Sequence, residues 1–470
     1  MLRARLDHPP ARLWRAGRQI LALAVALAAA LGANAPAATA APIVPESLVP
    51  AARLAPTPEN RHMLFQKMLA DPGNVDIALQ YAELSSQAGD IEGAISTLER
   101  LLIFAPKLAR LNFELGMLYF RLGSYDVASA YFKSASEAPD ATPELKAQAA
   151  AYLSGADVQT AADRTLGSLM FGARYQSNAN GGAGSPWIYL NNVPFELNST
   201  AQADPDANGF AAATMHFTHD LQSQGDRLDA DVNLYGSLYD KHDELNTLAG
   251  EVQAGPVFNL GRFGLSNATL GIHGIAGAVR LRGDPYLYTL GLGAVATHSF
   301  DPLTTAHARV DFRYEEFMDS DLRPDVSSMT GGRTRVSVDV QHEINPILSI
   351  NAATYWERKL AEIGQDADWE VGVTTGVTVR FPRPIPLGSG PWSADLSGGL
   401  LERKYDTPDP TFSATDARHD HEAFVQGVLT VPIAPTWSAI ATVGYRRALS
   451  NYGLYTYNNA SGSLAVLKSF

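Results

Sequence analysis

No cysteine occurs among the 470 residues. That excludes a disulfide framework, a thiolate metal site, a cysteine nucleophile and a cysteine-borne acyl anchor. Basic charge is also scarce. Lys and Arg number 36 against 49 Asp and Glu, for a net charge of -13, and no basic cluster stands outside the N-terminus. A nucleic-acid binder, which needs a concentrated basic patch, is thereby excluded. After residue 31 there is no long apolar run, so any membrane crossing beyond that point must use strands. A mean hydropathy of -0.08 is too polar for a bundle of membrane helices. A barrel that alternates lipid-facing and lumen-facing residues averages to just such a value. With 46% hydrophobic and 18% charged residues the chain has the composition of a folded protein.

What is present begins with an export signal. Arg3, Arg5, Arg12, Arg15 and Arg18 form a basic leader, residues 20–31 a short apolar run, and Ala38-Thr39-Ala40 a small-x-small cleavage pattern. A competing site ending at Ala35 is followed by Pro36, so the signal peptide is assigned to residues 1–40. Its removal takes away five Arg and Asp7, a net of +4, and -13 minus 4 leaves the mature chain at -17. Residues 41–57 read as a linker.

Residues 58–163 carry apolar positions at helical spacing and repeat themselves. Gly89 matches Gly123, Ala94 matches Ala128, Leu98 matches Phe132 and Leu101 matches Ala135, each pair 34 residues apart. That is the tetratricopeptide period: glycine turns between the two helices of a hairpin, and alanine sits where they approach most closely. Pro106 closes the first unit, and Gly116 stands at the small position of the second. The segment 63–70 resembles the tail of a degenerate earlier unit, and 145–153 a capping helix. Such a stack exposes a docking groove for a partner, or serves as a spacer.

Residues 164–470 switch to period-2 alternation, the signature of strands with one face in lipid. Trp369, Val371, Val373, Thr375, Val377, Val379 and Phe381 share one face, with Glu370, Gly372, Thr374, Gly376, Thr378 and Arg380 on the other. Elsewhere Asp229, Asp231, Arg309, Asp311, Arg313, Arg333, Arg335, Asp339 and Arg446 alternate with apolar neighbours and, with Arg380, are the expected lumen-facing residues. About fourteen strands fit, an even number as single-chain barrels require. The expected fold is therefore α+β multidomain: an α-helical tetratricopeptide-repeat domain followed by a 14-stranded antiparallel transmembrane β-barrel.

Connections alternate between long (177–207, 318–329, 362–368, 406–417) and tight (259–262, 301–304, 344–346, 432–435), with a Pro-rich exception at 382–391. Outer-membrane barrels place short turns in the periplasm. The repeat domain and both mature termini are expected there. Phe470, the last residue, shares a face with Leu464 and Val466 and resembles the C-terminal signal by which the barrel-assembly machinery recognises outer-membrane barrels, a signal weakened by Lys468.

Chemistry is sparse. Arg418-His419-Asp420-His421-Glu422 could present two imidazoles to a metal, but two ligands are too few and the segment reads as a solvated rim. The glycine-rich stretch 177–186 leads into no helix and carries no Lys-Ser/Thr step, so it reads as a mobile surface loop rather than a phosphate cradle. His216, Glu251 and Arg446 are accounted for by a polar lumen. No enzyme, no cofactor and no metal site is expected.

A signal peptide, a few tetratricopeptide repeats and a barrel of about fourteen strands resemble the surface lipoprotein assembly modifier family. Tyr175-Gln176-Ser177-Asn178-Ala179-Asn180 is similar to the aromatic-x-Ser/Asp-Asn-x-Asn step of that family, carried here by Tyr175, Ser177, Asn178 and Asn180. The resemblance implies an outer-membrane translocator. Its repeat domain would receive a periplasmic client protein, and its barrel would secrete the client or display it at the surface. Its other partners would be outer-membrane lipid and the assembly machinery, and it implies no catalytic residue. The alternatives are a polysaccharide-export porin and a passive diffusion channel.

Overall fold

The computed structural model describes residues 57–160 and 162–470. The signal peptide and most of the linker lie outside the described residues. The rest divides into a helical unit and a barrel unit, parting between Arg164 and Thr165.

Six helices build the first unit: α1 (Pro58–Ala70), α2 (Val75–Gln87), α3 (Ile91–Leu102), α4 (Ala109–Arg121), α5 (Tyr125–Glu137) and α6 (Pro143–Thr160). Side-chain oxygens of Thr57, Asn74 and Asp90 accept from the free N–H groups opening α1, α2 and α3. α4 has no such local cap. Its Ala109 N–H instead donates to Asp140 Oδ1 at 3.0 Å, which pins the loop after α5 to the start of α4. Gly89 and Gly123 turn α2 into α3 and α4 into α5 with φ of 84° and 74°, a region that costs glycine nothing. Ala94, Ala128, Leu98 and Phe132 are all buried at the hairpin contacts. A Cβ on Gly116 would stand 2.7 Å from the Phe132 ring, so the small residue is what lets α5 lie on α4. Asn112 reaches back to the Pro106 carbonyl at 3.2 Å, fixing the corner between the repeats.

The second unit is a closed antiparallel barrel of fourteen strands. Its strands are β1 (Asp163–Gln176), β4 (Asp206–Ser223), β5 (Asp226–Tyr239), β6 (Thr247–Asn259), β7 (Ala268–Leu281), β8 (Asp284–Asp301) and β9 (Thr304–Phe317). There follow β10 (Gly331–Asn345), β11 (Leu348–Lys359), β12 (Asp368–Phe381), β13 (Trp392–Tyr405), β14 (His419–Ala434), β15 (Trp437–Ser450) and β16 (Tyr457–Ser469). A short hairpin, β2 (Trp187–Leu190) with β3 (Val193–Glu196), sits in the loop after β1. Every barrel strand pairs with its sequence neighbour, and β1 closes on β16, where Gly167 and Phe470 exchange both backbone hydrogen bonds at 2.9 and 3.0 Å.

Strand direction sorts the connections into two ends. At the end where β1 begins and β16 finishes they run 224–225, 260–267, 302–303, 346–347, 382–391 and 435–436. At the other they run 177–205, 240–246, 318–330, 360–367, 406–418 and 451–456. One tight turn breaks the second set. Arg282 and Gly283 both take positive φ, the two-residue geometry whose twist suits a hairpin, and they join β7 directly to β8.

The outer face is apolar. Leu234, Leu290, Leu292, Phe312, Val373, Leu400, Val443 and Leu464 are all exposed there, an arrangement stable only against lipid. A closed sheet leaves no unpaired edge, so it can lie in hydrocarbon. Among the described residues no helix is long and apolar enough to cross a membrane.

Candidate functional site: the lumen and its mouth

The inner face carries the charge. Starting on β9, Glu315 accepts both prongs of the Arg333 guanidinium, Nε at 2.9 Å and Nη2 at 3.0 Å. Arg333 also donates to Glu357, whose other oxygen takes Arg335 Nη1 at 3.1 Å. Arg335 lies 3.8 Å over the Tyr355 ring, and the Tyr355 hydroxyl donates to Glu370. Glu370 accepts from Arg403 Nε at 2.6 Å, and Arg403 reaches Glu422 at 3.7 Å. Glu422 closes the series on Arg446 Nη1 at 2.8 Å. The run is unbroken from β9 to β15 and lies in the half of the barrel nearer the long loops.

Alternation is what assembles it. Each of these residues sits on the inward face of its strand, and the antiparallel registers bring Arg333 level with Arg313 and Lys359, and Glu370 level with Arg403. Buried carboxylates would be expensive alone, but here each accepts charge-assisted bonds.

Of the sequence-level lumen residues, Arg333, Arg335 and Arg446 are members of this ladder. Arg309, Asp311 and Arg313 form a neighbouring group, with Arg313 on Glu251 at 2.5 Å and Arg309 on Gln253 at 3.2 Å. Asp229 and Asp231 lie apart on β5, bonded to Arg227 and His216 at 2.9 and 2.7 Å. Asp339 stands opposite His307 in the pairing of β9 with β10. Arg380 is at the turn end, its nearest bond to the Pro346 carbonyl at 3.5 Å. Arg403, Glu315, Glu357, Glu370, Glu422 and Tyr355, which complete the ladder, are not among the lumen residues the sequence pattern singles out. Their inward register was the available signal, but the register itself is a property of the closed sheet.

Two loop clusters stand at the mouth. Val326 and Met329, from loop 318–330, bury themselves against Val279, Leu281, Tyr286 and Phe317, which project from the inner face of β7, β8 and β9. That loop therefore occupies lumen cross-section. The loop after β1 places Ile188 and Leu197 against Phe412, Tyr452 and Leu454. It is not the free surface loop its glycines suggest. Asn178 donates to the Gly182 carbonyl at 2.9 Å and the Asn458 carbonyl at 3.3 Å. Asn180 donates to the Gln202 carbonyl at 2.8 Å and accepts from Asp204 N at 3.0 Å. Ser177 Oγ accepts from Ala460 N at 2.8 Å, while Tyr175 faces outward and exposed. Two asparagines thus hold a glycine-rich backbone in place.

The segment 418–422 is split by the pleat. Asp420 and Glu422 point inward, with Arg418 on Asp420 through two bonds of 2.9 and 2.6 Å, whereas His419 and His421 point outward. Among the described residues no group of His, Asp or Glu could hold a metal ion.

In the helical unit, Arg110, Glu114, Met117 and Arg121 follow one another along one side of α4. Arg121 donates to Ser86 on α2 at 2.7 Å, and Arg110 faces Asp76 at 4.0 Å. Glu114 between them is 7% exposed, and its Oε1 has no hydrogen-bond partner. Burial, with Glu83 adding repulsion and Arg110 and Arg121 opposing, pushes its carboxyl up from 4.5 to about 7.

Neither a family model nor a curated protein matches the chain. Similar solved structures include the outer membrane channel DcaP of Acinetobacter baumannii, 12% identical over 66% of this chain and 97% of that one, with a TM-score of 0.36. A bacterial polysaccharide outer membrane secretin is 10% identical over 65% of this chain and 98% of that one, with a TM-score of 0.34. The type III secretion chaperone SycD of Yersinia enterocolitica, solved with a peptide of the translocator YopD, is 15% identical over 22% of this chain and 81% of that one, with a TM-score of 0.21.

Proposed function

We propose that the protein is an outer-membrane translocator. Its helical unit, in the periplasm, receives a client protein, and its barrel passes the client outward or displays it at the cell surface. The observation that carries this reading is the joining, in one chain, of a repeat stack with a membrane barrel whose polar inner wall carries folded loops at its long-loop end. A passive diffusion pore needs no repeat stack. The distribution of loops supports an exterior long-loop end and a periplasmic turn end, as does the entry of the chain into β1 at the turn end. The reading agrees with what the resemblance to the surface lipoprotein assembly modifier family implies. Assembly through Phe470, contact with outer-membrane lipid and delivery of a lipoprotein client belong to the same proposal.

One observation favours polysaccharide export instead. Trp187 and Tyr189, two residues apart on one face of β2, are both exposed at the mouth, where ring faces could stack on sugars. Deleting the gene and comparing surface proteins with surface polysaccharide separates the two. Loss of a surface protein with polymer intact supports the translocator; loss of polymer with the surface proteome unchanged overturns it.

A further inference from the structure

The outward face of β13, β14 and β15 changes character near the long-loop end. Leu396, Leu400, Val425 and Val443 give way there to Lys404, His419, His421 and Arg447, all exposed on that same face. Register brings them together. Lys404 stands opposite His419, His421 opposite Leu449, and Ala423 opposite Arg447, so the four occupy three adjacent strands within a few residues of one another.

The His419 and His421 ring centroids are 5.9 Å apart, and the Lys404 ammonium lies 5.2 Å from the Trp369 ring. Glu402, the acid set among them, bonds Lys404 at 2.8 Å. A cleft of about 380 Å³ opens at this rim, lined by Glu402, Lys404, Ala417, Arg418, His419 and His421. Two cations, Lys404 and Arg447, and two imidazoles gather here although the chain as a whole is at -13.

Outward charges are not tolerated in hydrocarbon, so this row marks the level of lipid headgroups. Basic side chains at that level attract anionic headgroups. Three strands at about 4.8 Å spacing spread these donors across roughly 10 Å, more than a single phosphate spans. Directly below, Val371, Val373, Leu400 and Val425 offer acyl chains an apolar track.

We infer that this rim binds the bisphosphorylated disaccharide headgroup of an outer-leaflet glycolipid. Lys404, His419, His421 and Arg447 donate to phosphate oxygens, while the valine and leucine track takes the acyl chains. The inference rests on the proposed orientation, with the long-loop end outside the cell.

The test uses the full mature chain and purified lipid A. Native mass spectrometry should find lipid A retained by the parent protein, retained at least tenfold less by the variant K404A/H419A/H421A/R447A, and unaffected by Arg280→Ala, which removes an outward cation on β7. Unboiled electrophoretic mobility confirms that each variant is a closed barrel. Equal retention by the quadruple variant overturns the inference, as does displacement of lipid A by equimolar phosphatidylglycerol, which would show that one phosphate suffices. Orientation is checked separately. The chain has no cysteine, so Thr415→Cys, in the exposed loop 406–418, should react with an impermeant maleimide on intact cells. Labelling only after the cells are opened refutes the orientation even where purified protein binds lipid A.

Discussion

Arg333 on β10 engages Glu315 on β9 with the Nε–Nη2 edge of its guanidinium, at 2.9 and 3.0 Å, and reaches Glu357 on β11 with Nη1. One residue thus ties three strands of the wall. Replacing Arg333 with Met leaves two largely buried carboxylates facing each other, a loss of about 3 kcal/mol. The double change Arg333→Met, Glu315→Gln should recover most of it, because Glu315 then carries no charge and Glu357 keeps its bond to Arg335 at 3.1 Å. Urea unfolding of the two variants, followed by unboiled mobility, measures the difference. An equal loss in both would show that the charge pairing is not what the wall depends on.

Val326 is wholly buried where loop 318–330 meets the inner wall. Val326→Asp places a charge in that contact and should free the loop from Val279, Leu281 and Phe317. In a planar bilayer the variant is expected to conduct several-fold more than the parent, and limited proteolysis should cut within 318–330. Cleavage without a rise in conductance would mean that the loop does not obstruct the path.

Glu114 sets a pH dependence in the helical unit. Its carboxyl is raised from 4.5 to about 7 in the fold, so between those values the folded state holds more protons than the unfolded one. Stability is therefore complete below about 4.5 and declines as pH rises through about 7. The difference of 2.5 at 1.36 kcal/mol each sets an upper bound of about 3 kcal/mol. Glu114→Gln should raise the helical melting temperature at pH 8 and leave it unchanged at pH 4.5, read by circular dichroism at 222 nm. An equal rise at both values would assign the effect to packing instead.

Gly116→Val tests the close approach of α4 and α5. The first added carbon already meets the Phe132 ring at 2.7 Å, and Phe132 is fully buried with no room to yield. A loss of about 2–3 kcal/mol in the helical unit is expected, with barrel closure unaffected by the unboiled-mobility test. Phe132→Leu in the same chain should return part of it.

The architecture was legible because both periods are strong. The 34-residue spacing from Gly89 to Gly123 and the run from Trp369 to Phe381 each point to a single kind of element, and the number of alternating segments gives about fourteen strands. The ladder was less legible. Alternation says that Arg333 and Glu357 face inward, but their meeting depends on strand stagger, a long-range quantity set by closure. The loop after β1 misled for a different reason. Its glycines signal freedom, yet Asn178 and Asn180 bond backbone groups of residues up to 280 positions away, and no local rule anticipates such partners. Alternation in a strand puts His419 and His421 on one face, as the structure has them, but that this face is the outer one and that Asp420 and Glu422 line the lumen follows only from the closed sheet.

The seam where Gly167 meets Phe470 joins the first and last strands of the barrel across 303 positions of chain, from 470 minus 167. Until β16 is present, β1 has no partner on that side and the sheet keeps two open edges. The wall therefore cannot be finished progressively as the chain emerges. The seam is nine residue pairs long, from Ser168 with Ser469 to Gln176 with Ser461, so a sheet without β16 is an open sheet rather than a slightly narrower tube.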